Sequence, residues 1–164
     1  MRTDALPVTL RLATAEDAPT IADIWEEGWR DAHLGHVPDE LVEIRTSESF
    51  RARAARLIGE TMVAERDGEV AGFVTLDGDE VEQVFVARGH RGAGVADALM
   101  ADAEQRLRDA GHATAWLAVV GGNARARRFY ERLGWTDEGP FEHFAPGEDG
   151  PIRVPAHRYI KALG

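Results

Sequence analysis

The sequence predicts a mixed α/β fold, with a mostly antiparallel sheet of six or seven strands and about four helices. Three strand-like runs follow one another, each separated from the next by an Asp-Gly pair: residues 61–65, 70–76 and 81–86. Asp67-Gly68 and Asp77-Gly78 favour two-residue hairpin turns, because both central positions of such turns tolerate positive φ. A continuous apolar run at 114–120 follows a helical stretch, and a helical crossover makes two strands parallel. We therefore expect an antiparallel meander joined to one parallel pair.

The first third of the chain predicts one strand and two helices. Residues 8–12 alternate as a strand does, and Thr14 followed by two acidic residues supplies a helix cap. The first helix is expected to reach about Trp29 and the second to span 47–58. Apolar side chains recur at helical spacing in the first helix, which indicates a stripe that faces the core: Ile21, Ile24, Trp25 and Trp29.

The second half predicts two more helices and two more strands. One helix starts at Val95 and ends near Gly111, a natural C-cap, with an apolar stripe at Leu99, Ala103 and Leu107. A further helix is expected at 123–133, an edge strand at 135–144 and a last strand at 154–162. Without an internal repeat or a linker, the chain is expected to form a single domain over 1–164.

Composition indicates a globular protein and excludes several function classes. The 164 residues are 44% hydrophobic and 29% charged, and the net charge of −10 argues against a general nucleic-acid binder. No apolar run approaches the roughly 20 residues of a membrane span, and the N-terminus lacks the layout of a signal peptide. We therefore expect a cytoplasmic protein without a membrane or nucleic-acid partner. The absence of cysteine excludes disulfides and a cysteine nucleophile, no metal site is predicted, and a homodimer is left open.

The most informative stretch of the chain is VFVARGHRGAGVADALM, residues 84–100, in which a strand turns through glycines into a helix. Unpaired amides and the helix dipole attract anions, and Gly92 and Gly94 let a phosphate approach the backbone. A P-loop is excluded, because Val95-Ala96-Asp97 stands where it needs Lys and Ser or Thr. A dinucleotide fingerprint is excluded as well, since Asp97 replaces its third glycine. A tight turn without a ligand remains the alternative.

A second segment, NARARRFYERLGW at 123–135, follows after one helix and one strand. Together the two segments resemble the GNAT superfamily of acyl-coenzyme A dependent N-acetyltransferases. The residues that match the two motifs of that family are Arg91, Gly94 and Ala96, and then Asn123, Ala126, Phe129, Tyr130, Gly134 and Trp135. The resemblance is clearest over residues 61–135 and does not identify an acceptor.

The resemblance implies acetyl-CoA as co-substrate and a pair of parallel strands that splay apart. The backbone of Val84, Phe85 and Val86 would pair with the pantetheine arm and polarise the thioester carbonyl. The loop and helix start would hold the pyrophosphate through Arg91, Gly92, Ala93, Gly94, Val95, Ala96 and Asp97. Asn123 is expected to contact the coenzyme, although asparagine is also an ordinary helix cap.

The resemblance also assigns two catalytic residues. Tyr130 would protonate the leaving thiolate, since a phenol with a pKa near 10 is protonated at neutral pH; a core aromatic is the alternative. Glu82 would be the base, with an idle strand carboxylate as the alternative. Strand alternation puts Glu82 on the side of Val84 and Val86, opposite Phe85, unless a bulge alters this parity.

The expected reaction is direct acetyl transfer to a primary amine of a small molecule or peptide. Ala118 stands where one branch of the superfamily, acting on ribosomal-protein N-termini, carries its base, which weakens that assignment. His33 and His36 are interpreted as surface histidines beside the acceptor. Two alternative hypotheses are a non-catalytic acyl-CoA binding or sensing module and a related fold without a ligand.

Overall fold

A single seven-stranded sheet forms the centre of the computed structural model, which describes residues 7–147 and 149–164. The strands are β1 (Val8–Leu12), β2 (Thr61–Arg66), β3 (Glu69–Asp77), β4 (Glu80–Val86), β5 (Thr114–Val120), β6 (Thr136–Ala145) and β7 (Ile152–Ala162). Their spatial order is β1-β2-β3-β4-β5-β7-β6, and of the neighbouring pairs only β4 and β5 are parallel. The predicted fold class is confirmed, and β6 is an edge strand as expected.

In the described part of the chain, five α-helices accompany the sheet: α1 (Ala18–His33), α2 (Asp39–Ile44), α3 (Ser47–Arg56), α4 (Val95–Asp109) and α5 (Ala124–Arg132). The sequence did not predict α2, whose six residues are too few to show helical periodicity. Helix α1 continues four residues past Trp29 and ends where Leu34 leaves the helical conformation with ψ 127°. Helix α3 ends two residues before the predicted boundary, and a short 3₁₀ turn takes over at Ile58–Glu60.

The two hairpin turns differ in which residues occupy their centres. Asp67 and Gly68 both have positive φ, at 56° and 73°, as the first turn was predicted to need. In the second turn Asp77 pairs with Glu80, so that Gly78 and Asp79 are central rather than Asp77 and Gly78. Gly78 takes the first central position at φ 60°, where glycine adopts the required conformation without a steric cost.

Apolar side chains pack on both faces of the sheet. One cluster contains the α4 stripe of Val95, Leu99, Ala103 and Leu107, and the other contains the α1 stripe of Ile21, Ile24, Trp25 and Trp29. All eight side chains are buried, which confirms both predicted stripes. Successive strand residues contribute to opposite clusters, as Phe73 and Val74 do. Across the part of the chain that the structure describes, each helix is too short or too polar to span a lipid bilayer.

Candidate functional site

A gap between β4 and β5 interrupts the middle of the sheet. The two strands pair only where Glu80 lies opposite Trp116, and the Trp116 backbone N–H donates to the Asp79 carbonyl at 3.2 Å. Beyond this point the strands diverge, as the resemblance implied. The facing backbone N–H and C=O groups of both strands are therefore free to bond a ligand.

Two cavities meet at this gap. The loop cleft, about 560 Å³, lies between the glycine loop, the start of α4 and α5. The α3 cavity, about 740 Å³, lies between α3, the first half of β4 and the C-terminal strands. The two cavities share six of their lining residues: Ala32, Val84, Phe85, Asn123, Ala126 and Tyr130. A group bound in either cavity can therefore reach the same point.

The glycine loop presents bare backbone to the loop cleft. Gly92 and Gly94 adopt φ values of 80° and 81°, and a Cβ added to either would meet open space. The first helical hydrogen bond of α4 runs from the Ala98 N–H to the Gly94 carbonyl at 3.1 Å, which leaves the amides of 95–97 without a helical partner. Gly94 is the N-cap and has no side chain to cap these amides. The loop therefore offers the bare amides that an anion cradle needs.

Ion pairs attach the loop to α1. Asp31 lies 2.7 Å from Arg88 and 3.1 Å from Arg91, and these two arginines, Arg88 foremost, lower the pKa of the Asp31 carboxyl. Arg91 still lines the loop cleft. Its guanidinium is therefore held at the cleft wall rather than left to move freely in solvent.

Two arginines of the second motif have different partners. Arg125 lines the loop cleft, whereas Arg127 turns away to pair with Asp137 at 3.1 Å. Arg132 also lines the cleft and lies 3.1 Å from the Asp97 carboxylate, so that it offsets the one acidic side chain in the first turn of α4.

Tyr130 and Asn123 lie where the two cavities join. The Tyr130 ring is half-buried against Phe129 and Trp135, burial raises the pKa of its phenol to about 12, and its hydroxyl has no hydrogen-bond partner among the described residues. Asn123 caps α5 by accepting a 3.2 Å hydrogen bond from the Ala126 N–H. Tyr130 thus packs among aromatic side chains and Asn123 is a helix cap, and both residues also line the two cavities.

A β-bulge in β4 determines where Glu82 lies. Thr75 pairs with Gln83 and the next residue, Leu76, pairs with Val81, so that Glu82 is the extra residue of the bulge. The alternation that the sequence suggests is therefore broken at this residue.

The bulge makes the predicted parity of Glu82 wrong. Its Oε1 lies 4.0 Å from Nη2 of Arg53 on α3, on the side of the sheet where Phe85 packs. Val84 and Val86 pack against the cluster on the α4 side instead. Glu82 therefore faces the α3 cavity, which it lines.

Glu80 is a second acidic residue of the α3 cavity that the sequence analysis missed. Burial and the neighbouring Glu82 raise the pKa of Glu80 to about 7, and burial also raises the pKa of Glu82. In the sequence, Glu80 and Glu82 stand two positions apart on the predicted strand, but this spacing does not show that both carboxylates are half-buried.

His33 and His36, the two histidines that the sequence analysis expected beside the acceptor, differ in environment. His36 is exposed, as expected, but His33 is half-buried and stacks on Trp29 with 4.7 Å between ring centroids. Burial lowers the pKa of His33 to about 4, which makes it a neutral wall residue of the α3 cavity rather than a surface histidine.

Two buried arginines of the α3 cavity were also missed. Arg45 is 6% exposed, and the side chain of Arg53 is 17% exposed with its guanidinium over the Trp25 ring at 4.5 Å. Arg53 lies on the polar helix α3 and Arg45 directly follows α2, where the Arg45 guanidinium donates to the Pro146 carbonyl at 2.9 Å, so only tertiary contacts reveal the burial of these side chains. Burial lowers the pKa of Arg53 to about 10.

Comparison with known proteins gives one family match and several relatives that are similar over part of their length. Residues 19–135 match the model of the acetyltransferase (GNAT) family. Streptothricin acetyltransferase of Streptomyces lavendulae is 36% identical over 76 residues, which are 43% of this chain and 40% of the relative. An uncharacterized N-acetyltransferase of Mycobacterium bovis is 34% identical over 83 residues, 48% of this chain and 53% of the relative. The matched stretch thus spans about half or less of these curated relatives.

Solved structures share the fold over nearly the whole chain. A GCN5-related N-acetyltransferase from Rhodopseudomonas palustris superposes with a TM-score of 0.73 at 19% identity, covering 99% of this chain and 98% of that one. The PaiA N-acetyltransferase of Thermoplasma acidophilum, solved with coenzyme A, gives 0.72 at 16% identity over 96% and 99% of the two chains. YncA of Salmonella typhimurium, solved with its cofactor acetyl-CoA, gives 0.68 at 21% identity over 96% and 95%. These similarities establish the fold, and the family match, which covers most of the chain, shows that this protein belongs to the acetyltransferase (GNAT) family.

Proposed function

We propose that this protein transfers an acetyl group from acetyl-CoA to a primary amine of a small molecule or peptide, by direct attack in a ternary complex. The observation that carries the proposal is the meeting of two cavities at the gap between β4 and β5, where they share six lining residues. Two substrates can enter from separate sides and react at the gap. Direct transfer also needs no protein nucleophile, in agreement with the absence of cysteine.

The loop cleft fits coenzyme A. The free amides of the glycine loop and of the first turn of α4 suit a pyrophosphate, with Arg91 and Arg125 beside them. The free backbone edge of β4 at residues 84–86 suits the amides of a pantetheine arm, and Asn123 lies at the end of that path. The chemistry and the shape of the cleft support this assignment, and two of the similar solved structures contain coenzyme A or acetyl-CoA.

The residues at the gap supply the steps that acetyl transfer needs. When bound, acetyl-CoA supplies a thioester, to whose carbonyl carbon the acceptor nitrogen bonds as the C–S bond breaks and its electron pair leaves on sulfur. A backbone N–H of β4 would donate to the carbonyl oxygen, and Tyr130 would give its proton to the sulfur. A phenol with a pKa of about 12 is protonated at neutral pH, so Tyr130 holds a proton beside the position proposed for the sulfur.

A carboxylate of the α3 cavity would take the proton that the amine releases. Glu82 is our candidate, because it faces the cavity two residues before Val84 at the gap. Glu80 is the second candidate, since a pKa of about 7 suits a base that works near neutral pH. Separate Glu82→Gln and Glu80→Gln variants distinguish the two candidates. Only the variant that removes the base should have a lower rate at pH 7 and lose the acid limb of the pH profile.

The test is incubation with acetyl-CoA and a panel of primary amines, with free thiol as the readout and an amine-free reaction as background. Glu142→Gln is a matched control, because Glu142 is exposed on β6 outside both cavities. We expect thiol release that depends on the amine. Either Glu82→Gln or Glu80→Gln should lower its rate, and Glu142→Gln should leave it unchanged. Calorimetric binding of acetyl-CoA without turnover of any amine would favour the non-catalytic binding module instead.

A further inference from the structure

The guanidinium of Arg53 lacks the partners that a buried charge normally has. Its side chain is 17% exposed and its Nε is fully buried, yet it donates no hydrogen bond to any residue in 7–147 or 149–164. A guanidinium carries five N–H donors, and buried polar groups in proteins are almost always hydrogen-bonded. The Glu82 carboxylate lies at 4.0 Å, which is too far for a hydrogen bond.

The surroundings of Arg53 hold it ready for an anion. Its guanidinium carbon lies over the Trp25 ring, 4.5 Å from the ring centroid, and this cation–π contact holds the group at the cavity that it lines. Arg45 and Arg56 line the same cavity. Three guanidinium groups thus collect on one wall of a protein whose net charge is −10.

The opposite charge lies beside this wall. Glu82 and Glu80 line the cavity on β4, and Glu82 is the carboxylate that comes within 4.0 Å of Arg53. An α-amino acid carries its amine and its carboxylate one carbon atom apart. Its two groups therefore match a carboxylate and a guanidinium that are a few ångströms apart, with the amine directed along β4 towards the gap.

We propose that the acceptor is a free α-amino acid or a close analogue, whose carboxylate binds in a fork-to-fork pair with Arg53 while its amine lies beside Glu82. The inference rests on the proposed acetyl transfer and names the class of acceptor for it. A purely cationic amine would bring no anion to Arg53, and a peptide N-terminus carries a neutral amide at the position of the carboxylate. Either acceptor would leave the buried guanidinium without its hydrogen bonds.

The test compares the twenty proteinogenic amino acids with their α-amides, because the amide removes only the negative charge. Calorimetry in the presence of coenzyme A measures binding without the need for turnover. At least one free acid should bind, and its amide should bind about tenfold or more weakly, since a charge-assisted bidentate pair is lost. Thiol release with acetyl-CoA should show the same order in kcat/KM. Failure of every free acid to bind, or equal binding of acid and amide, would overturn the proposal.

Variants on α3 assign the effect to Arg53. Arg53→Gln should bring the ratio of acid to amide affinity close to one, and Arg53→Lys should leave it intermediate, because lysine keeps the charge without the fork. Arg51→Gln is the control, since Arg51 is exposed on the same helix and lines neither cavity. Circular dichroism verifies that each variant is folded. An Arg53→Gln protein that is folded and keeps the full preference for the acid contradicts the inference.

The outcomes separate this inference from the proposed function. Free amino acids that bind preferentially but are not acetylated would leave the subsite standing and remove the transfer reaction. Acetylation of other amines, without binding of any free amino acid, would keep the transfer reaction and remove the subsite.

Discussion

Tyr130 at the junction of the two cavities and two carboxylates of the α3 cavity have pKa values that burial has moved. The pKa of Tyr130 is raised to about 12, that of Glu80 to about 7, and that of Glu82 in the same direction. The phenol therefore stays protonated throughout the physiological range, whereas Glu80 changes its charge near neutral pH. An acid and a base with separated pKa values are what proton transfer at one site requires.

Replacing Tyr130 by phenylalanine tests the acid. The ring keeps its packing against Phe129 and Trp135, while the proton donor is lost. We expect kcat to fall by about a hundredfold, the lower end of the usual contribution of a general acid, with little change in the KM for acetyl-CoA. Steady-state thiol release measures both constants. An unchanged kcat would remove Tyr130 from the mechanism.

Replacing Glu80 by glutamine tests its raised pKa through stability. The folded state holds the proton between the ordinary value of 4.5 and the folded value of about 7, so this group makes the free energy of unfolding fall as pH rises through that window. At pH 8 the variant should be more stable by on the order of 1 kcal/mol, after allowance for solvent screening of a half-exposed group. At pH 4 the two proteins should be equal. Urea unfolding at both pH values measures the difference, and an equal gain at pH 4 would contradict the assignment.

At the scale of elements, close approaches position α1 against the functional strand. Gly28 of α1 packs directly on the ring of Phe85 in β4, and Phe85 lines both cavities. The turn that leads into α1 is held by Asp17, which accepts hydrogen bonds from Arg11 at 2.8 and 2.9 Å and from the Thr14 N–H at 2.7 Å. The first contact brings the helix close to β4, and the second holds the turn that precedes the helix.

Gly28→Ala should push α1 and β4 apart. An added Cβ would overlap the Phe85 ring, and such overpacking costs about 1–3 kcal/mol in the free energy of unfolding. Movement of Phe85 should also raise the KM of both substrates. Gly59→Ala is the control, because a Cβ there meets open space. Chemical denaturation of the two variants compares them, and similar stabilities would show that the Phe85 ring yields without cost.

Asp17→Asn should weaken the start of α1. Hydrogen bonds from Arg11 above all lower the pKa of Asp17 to about 2 from 3.8, so the carboxylate contributes stability above pH 3.8 and loses that contribution as pH falls towards 2. We expect a loss of about 1 kcal/mol at pH 7 that shrinks below pH 4. Thermal unfolding across this pH range measures the loss. Asp23→Asn, at an exposed position of α1, should cost nothing at any pH.

At the scale of the whole molecule, a single sheet separates two cavities and joins them at one gap. The protein carries a net charge of −10, so long-range repulsion opposes an anionic coenzyme while the arginines of the loop cleft attract it locally. Binding must therefore depend on these few side chains together with the free backbone amides of the cleft, and it must stabilise the native state, which alone contains the cleft.

Acetyl-CoA at a hundred times its Kd should stabilise the protein by about 2.7 kcal/mol and raise its Tm accordingly. Arg125→Gln should reduce the rise at a fixed ligand concentration, because Arg125 lines the loop cleft. Arg128→Gln should not, since Arg128 is exposed on the same helix and lines neither cavity. Differential scanning fluorimetry measures all three proteins, and an equal effect of the two variants would show that only general charge matters.

By itself, the sequence determined the hairpins, the two apolar stripes, the glycine loop before α4 and the cap of α5. Each of these is local, because periodicity, turn residues and cap residues act within a few positions of the chain. Only the tertiary structure decided the bulge at Glu82, the raised pKa of Glu80 and the burial of Arg53 on Trp25. The bulge arises from pairing between β3 and β4, the contact of Arg53 with Trp25 arises from the packing of α3 on α1, and the raised pKa of Glu80 arises mainly from burial, so that no local pattern records them. The glycine loop and the helices beside the candidate site were therefore readable from the chain, whereas the charges that line this candidate site depend on contacts between distant elements.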